Sequence, residues 1–243
     1  VGSAANCAAP MTILNAIVAQ QLKDFKSEVD ALIDKKGLKK DDAIFNVLKE
    51  YIKSSKSIRF EGDGYSGDWE KEAEKRGLSN VRTTPHALDF FVSKDAIELF
   101  EDLGVMNRTE IEARHEIMLE NYQLKIQIES RVLGDISGNH LVPTALRYQT
   151  LLMQNIQGMH EVFGDKEFKK LTKVPRNMVQ EIAERTSEII TLKEEMIEAR
   201  KRANAVDDVR KRSIMYCEEV LPYFEKIRVH SDKLELLIDD EVW

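Results

Sequence analysis

The chain has 243 residues, of which 42% are hydrophobic and 33% charged, and its formal net charge is −7. That length is enough to bury a core without disulfides or metals, and the acidic balance excludes a nucleic-acid backbone as the main partner. No run of about 18 apolar residues occurs, so nothing here predicts a membrane span.

In chain order, the start VGSAANCAAPM has neither a basic n-region nor an initiator Met, and it reads as a cut into a longer chain rather than a signal peptide. Apolar residues then recur at helical spacing, at Ile13, Ile17, Leu22, Phe25, Val29 and Leu32, and Gly37 is placed to end that helix. KDDAIFNVLKEYIK predicts a second amphipathic helix, with Asp41 and Asp42 in its first turn where the dipole favours anions. Residues 54–67 predict a loop, Ser66 the cap of a short helix, and Gly77 its end. Thr84 is expected to cap a helix with Pro85 at its first position, and Ser93 to open another that Gly104 closes.

Thr109 with Glu112 three residues later predicts a capping box on a long helix whose apolar positions include Ile111, Ile117, Tyr122, Ile126 and Leu133. Pro143 lacks an amide hydrogen and crowds the preceding turn, so it is expected to break or kink this helix before TALRYQTLLMQNIQGMHEVFG resumes. Pro175 opens the longest pattern. Met178, Ile182, Ile189, Leu192, Met196, Ala199, Ala203 and Val206 form a seam interrupted between Ile182 and Ile189. A similar stripe runs through Ile214, Cys217, Leu221, Phe224, Ile227 and Leu234. Period-two alternation never persists. The expected fold is all-α and multi-helix, with little or no sheet and an antiparallel helical bundle in the C-terminal half.

Four motifs invite chemical readings. Gly62, Gly64 and Gly67 stand at G-x-G-x-x-G spacing in RFEGDGYSGDWEKEAEKRG. A dinucleotide fingerprint also needs a hydrophobic strand before it and a parallel sheet around it. Here only KSIRF precedes it, and the Asp63 carboxylate would repel a pyrophosphate, so a surface loop is expected. Glu112 and His115 make one E-x-x-H step, but a di-iron bundle needs a second. The run EARKRANAVDDVRKR, residues 198–212, is offset by its own acids and predicts a solvated helix face with ion pairs. Cys7 and Cys217 share no metal-binding spacing and are expected to be buried, reduced thiols. No catalytic, cofactor-binding or metal-ligating residue is assigned.

Several blocks resemble the class III glutamine synthetases: VGSAANCAAPMTILNAIVAQQL, IRFEGDGYSGDWEKEAEKRGLSNVRTTPHALDFFVS, RHEIMLENY, LVPTALRYQ, MIEARKRAN and YFEKIRVHSDKLELLIDDEVW. The likeness extends over essentially the whole chain. It implies that residues 1–105 are the helical end of the catalytic region and residues 106–243 the class III C-terminal bundle. In that family ATP phosphorylates glutamate, ammonia displaces the phosphate, and divalent ions (Mg or Mn) neutralise the transferring group. The resemblance places those ligands upstream of Val1, with Val1–Ser3 near the nucleotide site of the complete enzyme. It implies a fragment inactive alone, with no cofactor of its own. Its partners would be the rest of the catalytic domain and neighbouring subunits of a cytoplasmic dodecamer, and neither nucleic acid nor membrane. It also implies an apolar patch uncovered in this piece, at Ile13, Ile17 and Leu22. The alternative is a free-standing helical interaction module.

Overall fold

The computed structural model describes residues 7–64 and 66–243, so Val1–Ser3 lie outside the described residues. Among those described, every regular element is helical and no strand occurs. Packing divides the chain into two compact units, one through His115 and the other from Glu116.

The first unit opens with α1 (Ala8–Lys36), which stops at Gly37 in the left-handed region at φ 61°. The Gly37 N–H donates to the Ile33 carbonyl at 3.0 Å, satisfying an end that would otherwise face water. α2 (Lys40–Ser54) returns against α1, and Val29 is buried with Ala43 and Val47. A 3-10 turn and a loop lead to α3 (Gly67–Lys75), then to α4 (Thr84–Leu88) and α5 (Lys94–Asp102). The Ser93 hydroxyl caps α5 by accepting from the Ala96 N–H at 3.3 Å. Ala16, Ile97, Phe100 and Ile111 make a second small core.

Two caps differ from expectation. α4 is capped from Thr83, one residue before Thr84, and the Thr83 hydroxyl lies 2.7 Å from His86 Nδ1 instead of bonding the backbone. The long helix α6 (Arg108–Ile136) begins two residues upstream of the expected box. Asn107 Oδ1 accepts from the Glu110 N–H at 2.9 Å, and Glu110 Oε2 accepts from the Asn107 N–H at 2.9 Å. The box is therefore Asn107 with Glu110, and Thr109 sits inside the first turn. Asn caps as well as Thr does, so two overlapping boxes were on offer, and the earlier one extends the helix by two residues.

The second unit consists of three helical rods. In the first, α6 passes into α7 (Val142–Val162) through a π turn, Ser137–Leu141. Pro143 does not break the helix. The Val142 N–H reaches back five residues to the Ser137 carbonyl, and this wider turn accommodates a ring that an α turn cannot. The same device recurs in the third rod. There α10 (Val209–Met215) joins α11 (Pro222–Glu235) through a second π turn, Tyr216–Val220, and the Leu221 N–H donates to the Tyr216 carbonyl at 3.0 Å.

After α8 (Asp165–Leu171), α9 (Lys173–Asn204) forms the second rod, antiparallel to the first. Gln149 bonds the Val179 carbonyl at 2.8 Å, Arg200 meets Ser130 at 3.4 Å, and Gln127 meets Asn204 at 3.4 Å. One set of numbers falls as the other rises. Ser213 donates to the Leu119 carbonyl at 3.1 Å, and Arg212 to Gln123 at 2.6 Å, placing the start of the third rod beside that part of α6.

Ile182, Ile189, Met196, Ala199 and Ala203 line the core with Tyr216, Val220, Ile227 and Leu234. Each large apolar side chain there contributes about 1.5–3 kcal/mol by leaving water. The interruption between Ile182 and Ile189 is filled by Thr186, which is buried. Its hydroxyl donates within its own helix to the carbonyls of Ile182 at 2.8 Å and Ala183 at 3.0 Å. Two expected core positions face outward. Ile117 is exposed while Leu119 is buried, and Leu221 is 37% exposed while Val220 is fully buried. Leu221 directly follows the π turn, whose extra residue departs from a 3.6-residue wheel, while Phe224, Ile227 and Leu234 beyond it pack in the core as expected.

Candidate functional site

The glycine loop is built as a braced surface loop. A 3-10 turn, Ser55–Ile58, precedes it where a nucleotide fold would place a strand. The Phe60 ring packs on Trp69 with centroids 4.6 Å apart, and the Arg76 guanidinium lies 5.6 Å from the Phe60 centroid. Arg76 also donates to the Arg59 carbonyl at 2.7 Å and to Glu72 at 2.6 Å. Gly62 is required by this brace, because a Cβ there would stand 2.8 Å from the Phe60 ring; Gly64 and Gly67 face open space. The Ser66 hydroxyl turns back to the Asp63 carbonyl at 2.8 Å and leaves the α3 terminus uncapped by a side chain. The glycines thus serve the turn and the close approach of an aromatic ring. Nothing in the sequence pattern pointed to Arg76, whose loop partner is a backbone carbonyl 17 residues away.

The other motifs are likewise absorbed by packing. Glu112 is exposed, 3.9 Å from Arg108, while His115 turns inward to lie 3.6 Å from Asp89. One step apart on a helix, the two side chains serve different neighbours. No group of three or more His, Cys, Asp or Glu converges among the described residues. In the charged run, Lys201 pairs with Glu198 at 2.7 Å as a surface pair should. Arg202 reaches Glu219 at 3.0 Å, and Arg212 bonds Gln123 and the Val206 carbonyl, so part of the run tethers rods together. Cys217 is buried, as expected, but Cys7 is exposed. Burial raises the Tyr122 phenol above its usual range, and its bond to the Cys217 thiol adds to the rise.

What remains is apolar surface. Met11, Leu14, Val18 and Leu22 on α1 are each more than half exposed, at steps of three, four and four. Ile17 beside them is also exposed, whereas Ile13 packs against the core of Ile97 and Phe100. Phe45, Leu48 and Ile52 form a second exposed stripe along α2. The front half of α1 thus carries an exposed apolar stripe among the described residues, more contiguous than the scattered apolar side chains of an ordinary surface.

Residues 43–160 match the family profile of the glutamine synthetase C-terminal domain. This chain carries a glutamine synthetase C-terminal domain. Over 242 residues it is 45% identical to a glutamine synthetase of Bacteroides fragilis (strain YCH46), a match that covers 100% of the chain and 33% of that protein. It is 26% identical over 243 residues to a type-3 glutamine synthetase of Dictyostelium discoideum, again 100% of the chain and 33% of the relative. A glutamine synthetase of Butyrivibrio fibrisolvens is 28% identical over 201 residues, 82% of the chain and 28% of the relative. The chain spans about a third of the length of the curated relatives it matches. The profile begins inside α2, ends inside α7, and so covers the braced glycine loop of this glutamine synthetase domain.

Proposed function

We propose that this chain is the helical, non-catalytic C-terminal part of a class III glutamine synthetase whose complete form joins ammonia to glutamate at the expense of ATP. In this reading residues 1–105 close the catalytic region and residues 106–243 form the bundle domain. The complete enzyme is cytoplasmic and assembles as a dodecamer. In this reading the metal and ATP ligands belong to the remainder of the enzyme.

The observation that carries the reading is the uncovered apolar face of α1.

The test is a split enzyme. Alone, the chain should form no glutamine from glutamate, ammonia and ATP with Mg or Mn. Combined with the remaining two thirds of a full-length enzyme, it should restore glutamine formation. Turnover by the chain alone would overturn the reading. Failure of the two pieces to associate would favour a free-standing interaction module.

A further inference from the structure

The three rods of the second unit are unequal in reach. The third rod, Val209–Glu235, starts beside Leu119 and runs along α6 until Ser231 lines a shared groove with Leu141. The turns that follow bring Val242 and Trp243 against the same core as Tyr148 and Leu152. The first rod continues to Val162, and the second starts at Lys173. The last ten residues of α7, α8 and the first turn of α9 therefore project past the third rod by about 15 Å.

This projecting corner exposes apolar side chains: Val162 is 75% exposed, Val174 66% and Leu171 47%. Lys166, Lys169, Lys170 and Lys173, all exposed, stand beside them in the chain, and with exposed Arg176 they outnumber the exposed acids of the corner, Glu161, Asp165 and Glu167. At the step where the third rod stops, the chain presents the opposite charge. Leu236, 80% exposed, stands there with exposed Glu235, Asp239, Asp240 and Glu241. Among the described residues, neither those four lysines nor those four acids form an ion pair within the chain.

We propose that the lysine-rich corner of one copy docks on the acidic step of a second copy. A two-fold axis makes the contact reciprocal. Each corner fills the line left vacant by the partner's third rod, setting Val162 and Val174 near the partner's Leu236 and the lysines against its acids. The occupant is a second copy because the two patches are complementary in charge and both contain exposed aliphatic groups. An isologous pair uses both patches twice. A chain of net charge −7 repels itself elsewhere, so this is where copies attract.

The test is sedimentation of the chain over a concentration series at low and moderate salt. The wild-type chain should self-associate, and added salt should weaken the association. Lys169→Glu with Lys173→Glu should weaken it about tenfold or more, as should Asp240→Lys with Glu241→Lys. Asp239 is left intact because its carboxylate accepts from the Glu241 N–H. The decisive sample is the mixture of the two double variants. Each one alone sets like charges against each other, so the mixture should associate where neither does by itself. Association driven by the α1 face would not show this rescue. A monomeric wild-type chain, double variants that associate like wild type, or a mixture that fails to associate would each overturn the proposal. Far-UV circular dichroism checks that the variants remain helical. Should either unfold, Val174→Glu and Leu236→Glu serve in its place, and wild-type-like association of both would also overturn the contact.

Discussion

Asn107 decides where the longest rod begins. Its side chain and that of Glu110 satisfy each other's backbone amides, which would otherwise be open donors at the start of α6. Removing the Asn107 side chain frees one of those donors, so Asn107→Ala should lower stability by about 1 kcal/mol. Thr109 caps nothing, and Thr109→Ala should change stability by less than about 0.5 kcal/mol. Urea unfolding followed at 222 nm separates the two, and the opposite order would restore the box at Thr109. Thr186 is a second case in which one residue resolves an ambiguity. A polar residue drops out of an apolar count, yet a threonine whose hydroxyl bonds its own helix is an adequate core residue. The seam between Ile182 and Ile189 is continuous once it is included.

At the scale of elements, the two π turns govern which residues face the core. Each lies just ahead of a proline, Pro143 or Pro222, and at Pro143 a widened turn stands where a break or kink is expected. The cost of keeping proline inside a helix is a missing donor and a steric clash. The price of the widened turn is a local change of register beside it, since Ile227 and Leu234 farther along stay in the core. Val220 rather than Leu221 therefore occupies the core of the third rod. Val220→Ala should destabilise the chain by about 2 kcal/mol through lost packing, while Leu221→Ala should cost about 0.5 kcal/mol or less. Equal costs for the two in thermal or urea unfolding would refute the shifted register.

For the molecule as a whole, the exposed face of α1 separates stability from assembly. Leu14 and Val18 are more than half exposed, so Leu14→Glu with Val18→Glu should leave the unfolding free energy of the chain within about 1 kcal/mol of wild type. In the split enzyme the same pair would place two carboxylates in an apolar contact, and complementation should be lost. Restored glutamine formation with this double variant would show that α1 is not the docking face. The corner-to-step contact between copies involves neither residue, so the two surfaces can be tested independently.

Composition and periodicity were enough to establish an all-helical chain. Helix start and stop residues act through bonds spanning three to six positions, which is why Gly37, Ser93 and Gly104 were legible. Family likeness was legible too, because long blocks of sequence carry it. The tertiary structure decided what depends on contacts between distant positions. These are the brace of Arg76 across the loop, the burial of Leu119 and Val220 in place of Ile117 and Leu221, and the uneven reach of the three rods. A one-dimensional pattern records which side of a helix is apolar. Only packing shows whether anything lies against it, and among the described residues Met11, Leu14, Val18 and Leu22 of α1 stay exposed.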